Sequence, residues 1–286
     1  MKEFTIDNIH NDLDGFNKLV NFYSESKSDF LEEIQLNITT WFDANLSSLL
    51  GAILDRLQNE WNEISFNIPK NDIQLILQKN DFLTHFGYEK RIDTYSTTVK
   101  YLKLEVKDGR FFTEYIENLL KRPEFPKISS ILHEKIAQSI FEIFVNSQIH
   151  SKTINIYTCG QFKPSFHELN FTIVDTGIGF AKSIENNLQT KLSDTNAIKW
   201  ALKEGHTTKL NAPGGIGLAI LKEFILQNNG RMQILTGTAF YECSNLSETY
   251  NLLDNSFDGT LINMVFKTND ETLYDTIDKI EDLDIF

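Results

Sequence analysis

The sequence predicts an α+β protein in two parts, a small front α/β domain over residues 1–105 and a larger domain over residues 106–268. Three observations carry this. Short runs of period-two hydrophobicity alternate with helical stripes through the first hundred residues. A long helical stripe over about 130–151 precedes a strand that ends in Asp175 and a glycine pair. A glycine-rich turn at 213–217 then opens another helix, and a last alternating strand follows.

In order along the chain, Ile34, Leu36, Ile38, Thr40 and Phe42 fall two apart and predict a half-buried strand. Leu46, Leu49, Leu50, Ile53, Leu54 and Leu57 form a helical stripe that Asp43 or Asn45 could cap. Ile64, Phe66 and Ile68 predict a strand ended by Pro69. A helix is expected from Asp72 to about Phe82, closed by Gly87. Leu102, Leu104 and Val106 read as a strand, and Phe112, Tyr115, Ile116 and Leu119 as a helix, which sets the domain junction near 105. Residues 269–286 are acidic, with Leu273, Ile277 and Ile280 spaced for a short C-terminal helix packed on the body, the alternative being a tail that docks a partner.

Composition narrows the function classes. Lys and Arg total 27 against 40 Asp and Glu, a net charge of −13, which argues against nucleic acid or an anionic membrane as partner. Cys159 and Cys243 have neither metal-ligand spacing nor disulfide density and are expected to be buried thiols. The opening Met-Lys-Glu-Phe, soon followed by Asp7, Asp12 and Asp14, does not read as a signal peptide, and no apolar run is long enough to span a bilayer. A cytoplasmic location is expected.

Three segments could carry chemistry. On the helix over 130–151, Glu142, Asn146 and His150 recur every four residues and share a face beside the stripe Leu132, Ile136, Ile140 and Ile143. Such a face is also what an ordinary solvated helix presents. In the second segment Asp175 shares the parity of Leu169, Phe171 and Ile173, and Gly177 and Gly179 let the backbone turn and approach a ligand. A plain tight turn has the same residues. The third segment runs Pro213-Gly214-Gly215-Ile216-Gly217-Leu218 into a helix, a place where free N–H groups and the helix dipole suit phosphate. Neither the Walker nor the dinucleotide-fold context is present.

Together these segments resemble the nucleotide-binding boxes of the gyrase, histidine-kinase and mismatch-repair ATPases (GHKL, or Bergerat fold) over about residues 128–268. The run Glu142-Ile143-Phe144-Val145-Asn146-Ser147 is similar to the asparagine box, residues 175–179 to the first glycine box and residues 214–218 to the second. Gly205-His206-Thr207-Thr208-Lys209 resembles the run ahead of the second box in some sensor kinases, and Gly259-Thr260 the start of the closing strand. The resemblance implies a Bergerat-fold α/β sandwich, a mixed sheet with helices on one face. It also implies ATP and Mg²⁺ as ligands. Asp175 would accept from the adenine amine and Thr260 would hold that carboxylate, with Gly177 and Gly179 shaping the turn. Asn146 would ligate Mg²⁺. Gly214, Gly215, Gly217 and Leu218 would bind phosphate, and Thr207, Thr208 and Lys209 would meet the γ-phosphate from a mobile lid over 181–213. Glu142 would be the general base. His133, on the same helix as Glu142, is not placed as a kinase phospho-acceptor would be.

The front domain resembles a STAS-like domain, the fold of anti-anti-sigma factors, in its strand, its Trp41-Phe42-Asp43-Ala44-Asn45-Leu46 turn and the apolar helix with Gly51. Ala44 and Asn45 stand where that family carries a phosphorylatable serine, so serine switching is not implied; Ser47 and Ser48 lie further on. The expected function is a cytosolic ATP- and Mg²⁺-binding regulator, a slow ATPase whose lid switches contact with a protein partner met through the front domain, with a homodimer also open. A protein kinase of the anti-sigma or sensor type, or a module that binds ATP without turnover, would use the same pocket.

Overall fold

The computed structural model describes residues 1–105, 107–150, 155–203, 205–206 and 216–275. The chain is mixed α+β, with a parallel three-stranded sheet and an antiparallel five-stranded sheet, each carrying helices.

The front sheet runs β1 (Lys2–Thr5), β2 (Glu33–Asn37) and β3 (Glu63–Asn67), in that order and all parallel. Helices α1 (Leu13–Ser26) and α2 (Ser47–Asn59) make the crossovers that parallel strands require. Asp12 caps α1 by accepting from Gly15 N at 2.9 Å. β2 is shorter than the period-two run that predicts it. Asp7 accepts from the N–H of Thr39 at 2.6 Å and of Thr40 at 3.0 Å, taking those donors away from a ladder. Neither Asp43 nor Asn45 caps α2: a 3₁₀ turn over Ala44–Leu46 leads in, and Leu46 occupies the capping position. Helix α3 (Asp72–Lys79) ends before Phe82, because the Asn80 side chain captures Phe82 N at 3.0 Å; a 3₁₀ turn over Leu83–Phe86 follows and Gly87 closes it.

The second sheet has the order β4 (Thr98–Glu105), β5 (Asn155–Lys163), β6 (Glu168–Asp175), β8 (Glu248–Lys267), β7 (Arg231–Ser244). β4 is hydrogen-bonded to β5, so this sheet begins ahead of the junction expected near 105. A mixed sheet is expected from the sequence, yet every pairing here is antiparallel. β6 and β7 do point the same way, joined through α6 (Gly179–Leu188), α7 (Asp194–Ala201) and α8 (Gly217–Gln227). β8 returns between them, however, and so pairs antiparallel with both. One face, bearing Leu169, Phe171, Ile173, Ile262, Met264 and Phe266, packs under α4 (Gly109–Leu120), α5 (Ser130–His150) and α8.

The other face is covered by the front unit. Tyr157, Cys159, Val174, Leu235, Phe257 and Leu261 of the sheet share one core with Phe16 and Leu19 of α1 and Leu50, Ile53 and Leu54 of α2. α2 therefore lies between two sheets, and its first eight residues, which carry no charge, are all buried. A polar seam sets the docking register. Asn45 Nδ2 donates to Thr172 Oγ1 at 2.8 Å and to Asn11 Oδ1 at 2.8 Å, Thr172 donates to Asn263 Oδ1 at 2.8 Å, and Asn263 donates to Gln233 Oε1 at 2.8 Å. At the seam's edge Lys163 Nζ meets Asp43 Oδ1 at 2.5 Å, and Asp43 also accepts from Asn11 N and the Trp41 indole. Asn45, Ser47 and Ser48 are wholly buried, with Ser48 donating to Asn45 O and Ser47 accepting from Asn80.

Both cysteines are buried and unpaired, and burial pushes the Cys159 thiol up to about 12. Tyr274 pairs with Ile128 in an isolated bridge and its hydroxyl donates to Gln227 O, which ties the start of the C-terminal segment to the body; Ile277 and Ile280 lie outside the described residues. Among the described residues no helix is long and apolar enough to cross a membrane.

Candidate functional site

A cleft of about 840 Å³, part of it open to solvent, lies between α5, the end of β6, the stretch of β8 around Thr260, and helices α6, α7 and α8. Its floor is set by strand register. Asp175 closes β6 and faces Thr260 of β8 directly, both buried at 6% and 5% exposure, and Ile262 continues that side of β8. Side chains two apart on a strand share a face, which is why Asp175 and Thr260 come up on the same side as the helix-covered core. At Gly259 a Cβ would stand 2.1 Å from Asp175 O, at a φ of +141°, so glycine permits this approach of β8 to the end of β6.

Asp175 is held by short-range donors: Gly177 N at 2.8 Å on Oδ1 and Ser147 Oγ at 3.3 Å on Oδ2. Burial outweighs them and pushes the carboxyl up to about 6, while the Gly177 N–H, the Ser147 hydroxyl, Arg56 and the Thr260 backbone hold it from rising further. A buried acceptor at the bottom of a mostly apolar cleft is short of compensation, and a donor on a ligand would supply it.

The α5 wall presents Glu142, half-buried, and Asn146, exposed at the mouth, one turn apart on one face. Opposite, α8 begins at Gly217 and Leu218, with Ile216 ahead of it giving no side-chain cap. The first turn of α8, the positive end of the helix, thus lines the cleft through Gly217 and Leu218. Gly217 is needed for contact: a Cβ there would lie 2.5 Å from Glu142 Oε2 and 3.3 Å from the Ser139 backbone. The glycine thus lets α8 close on α5 without displacing the glutamate.

The structure therefore gathers Glu142, Asn146, Asp175, Gly179, Gly217, Leu218 and Thr260 around one cleft from segments far apart in sequence. Gly177 is not in the lining; its N–H fixes the Asp175 carboxylate from behind. Thr207, Thr208, Lys209, Gly214 and Gly215, like the side chain of His150, lie outside the described residues. His133 sits on α5 beside Glu117 at 3.7 Å and outside the cleft lining. The first half of the expected lid over 181–213 holds α6 and α7, which lie on the sheet. Ile184, Ala197 and Ile198 are buried there, and Asp194 accepts from Thr238 N at 2.8 Å and Thr238 Oγ1 at 3.0 Å, so α6 and α7 are seated against the sheet.

Several lining residues escaped sequence reasoning. Ser139 and Ser147 were legible in principle, lying at helical spacing beside Glu142 and Asn146. Phe180, Ser183 and Ile184 follow the first glycine pair on α6. Trp200 and His206 form the far wall, their rings 5.0 Å apart, and His206 Nδ1 is enclosed with no hydrogen-bond partner among the described residues. No local pattern marks Trp200, whereas His206 stands in the Gly205-His206-Thr207-Thr208-Lys209 run. Compared with known proteins, the chain matches no protein-family model and no curated protein.

Proposed function

We propose that this protein is an ATP- and Mg²⁺-binding regulator of the GHKL type, a Bergerat-fold domain fused to a STAS-like front domain, which hydrolyses ATP slowly in the cytoplasm and signals to a protein partner. The observation that carries it is the convergence on one cleft of a buried carboxylate with its facing threonine, a helical Glu–Asn pair and an uncapped helix start.

The residues fit the ligands. Asp175 can accept from an exocyclic amine, which adenine presents and guanine does not at the equivalent position. The uncapped start of α8 suits phosphate. Among the described residues no three His, Cys, Asp or Glu side chains converge as a metal cage. The amide oxygen of Asn146 suits a magnesium ion held mainly by phosphates and water. When bound, that ion would neutralise charge on the phosphates. Glu142, half-buried and kept in place by the close approach of Gly217, takes the proton from the attacking water, while Asp175 and Thr260 orient the base end.

The test is incubation of purified protein with γ-labelled ATP, beside calorimetric titration with ATP and GTP. Slow release of free phosphate and a preference for ATP are expected. Label on a protein would give the kinase reading, and tight binding with no release the binding-module reading. Equal affinity for ATP and GTP would remove the adenine-site assignment.

A further inference from the structure

We propose that Arg56, on α2 of the front unit, is a positioning residue for the nucleotide site, tying together the two neighbouring strand segments that carry Asp175 and Thr260. This rests on the nucleotide reading above and adds to it that the front unit completes the site. Arg56 Nη2 donates to Thr176 O at 2.7 Å, next to Asp175, and to Asp258 O at 2.6 Å, two residues before Thr260. One guanidinium thus bridges β6 and β8 at the position where their facing residues form the cleft floor.

The side chain is itself held in place. Its Nη1 donates to Tyr23 OH at 3.3 Å, and the guanidinium lies 5.4 Å from the Tyr23 ring and 5.6 Å from the Phe257 ring. On the preceding residue, Asp55 accepts from Tyr157 OH at 2.5 Å and pairs with Lys103, so successive residues of α2 grip different parts of the sheet. Among the described residues no carboxylate lies within ion-pair distance of Arg56, so its donors go to the two carbonyls and its charge acts on Asp175 from behind. A planar fork can serve two carbonyls while stacked between rings, whereas an ammonium can reach them only as a point charge.

The experiment is calorimetric titration of the full-length protein with ATP and with GTP for the parent, Arg56→Met, Arg56→Lys, Asp175→Asn and the double variant Arg56→Met/Asp175→Asn. Circular dichroism at the titration temperature checks the fold of each. Arg56→Met is expected to bind ATP about tenfold more weakly, which is about 1.4 kcal/mol, and to discriminate less against GTP. Arg56→Lys is expected to fall between, and remains the informative variant if Arg56→Met does not fold. In the Asp175→Asn background, removal of Arg56 should add little, because both changes act on one contact. A parent that does not bind ATP overturns the nucleotide reading, and the tie with it. A parent that binds ATP while Arg56→Met and Arg56→Lys bind it equally well overturns the tie alone, as do fully additive losses in the double variant.

Discussion

Asp175→Asn should make the ligand-free protein more stable and its nucleotide complex weaker, because the same burial that equips the carboxylate to receive a donor makes it costly when none is there. In the folded protein the carboxyl is pushed from 3.8 up to about 6, chiefly by burial. At about 1.4 kcal/mol per unit, that shift corresponds to roughly 3 kcal/mol of lost stability when Asp175 is ionised in both states. A folded value above the unfolded one means the group binds protons more tightly when folded. The cost is therefore absent below about pH 4, grows between about pH 4 and 6, and is constant above. Asparagine keeps the acceptor for Gly177 N and can donate to Ser147 Oγ, whose own proton can go to Ile143 O at 3.0 Å. Urea denaturation should then show Asp175→Asn more stable than the parent at pH 7.5 and equal to it at pH 4. Calorimetry should show ATP bound about 10- to 150-fold more weakly, the loss of one charge-assisted hydrogen bond of roughly 1.5–3 kcal/mol. In the parent, affinity should fall up to tenfold per unit as pH drops below about 6, since protonation competes with the ligand. A variant that is destabilised at pH 7.5, or a gain that is the same at both pH values, would refute the burial argument. Unchanged ATP affinity would refute the role of Asp175.

Glu142→Gln should retain nucleotide binding and lose about 10²–10⁴-fold in turnover. Gly217→Ala should reproduce part of that loss by pressing a methyl group onto Glu142 Oε2, and phosphate release at the parental rate in both variants would leave the glutamate a bystander. Asp43→Ala should cost about 3–5 kcal/mol in denaturant unfolding by stranding the enclosed Lys163 ammonium; adding Lys163→Met should recover part of it, the rest being the acceptor lost to Asn11 N and the Trp41 indole, and an equal loss in single and double variants would disprove the pairing. In a Trp41→Phe/Trp61→Phe background only Trp200 reports fluorescence, and its place in the cleft wall predicts a change in emission as ATP is added. A flat titration at concentrations that calorimetry shows to be saturating would place the ligand elsewhere.

What the sequence determined by itself is what period and spacing encode. Strand parity put Asp175 and Thr260 on the same side as the core, and the four-residue recurrence on α5 put Glu142 and Asn146 on one face, because side-chain direction follows from local backbone geometry alone. The apolar stripe over residues 46–57 likewise marked α2 as a helix. Pairing order was not legible, since a strand's pattern says which face is apolar and nothing about which neighbour it takes; hence the insertion of β8 between β6 and β7, and the assignment of β4 to the second sheet. Nor could spacing disclose Trp200 at the cleft wall. The seam of Asn45, Thr172 and Asn263 looks like scattered polar residues until three separate segments are brought to one plane. Arg56 is the clearest case. In sequence it is a cation near the end of a helix, and only the docking of one sheet's helices on the back of another carries its guanidinium to the carbonyls beside Asp175 and Thr260.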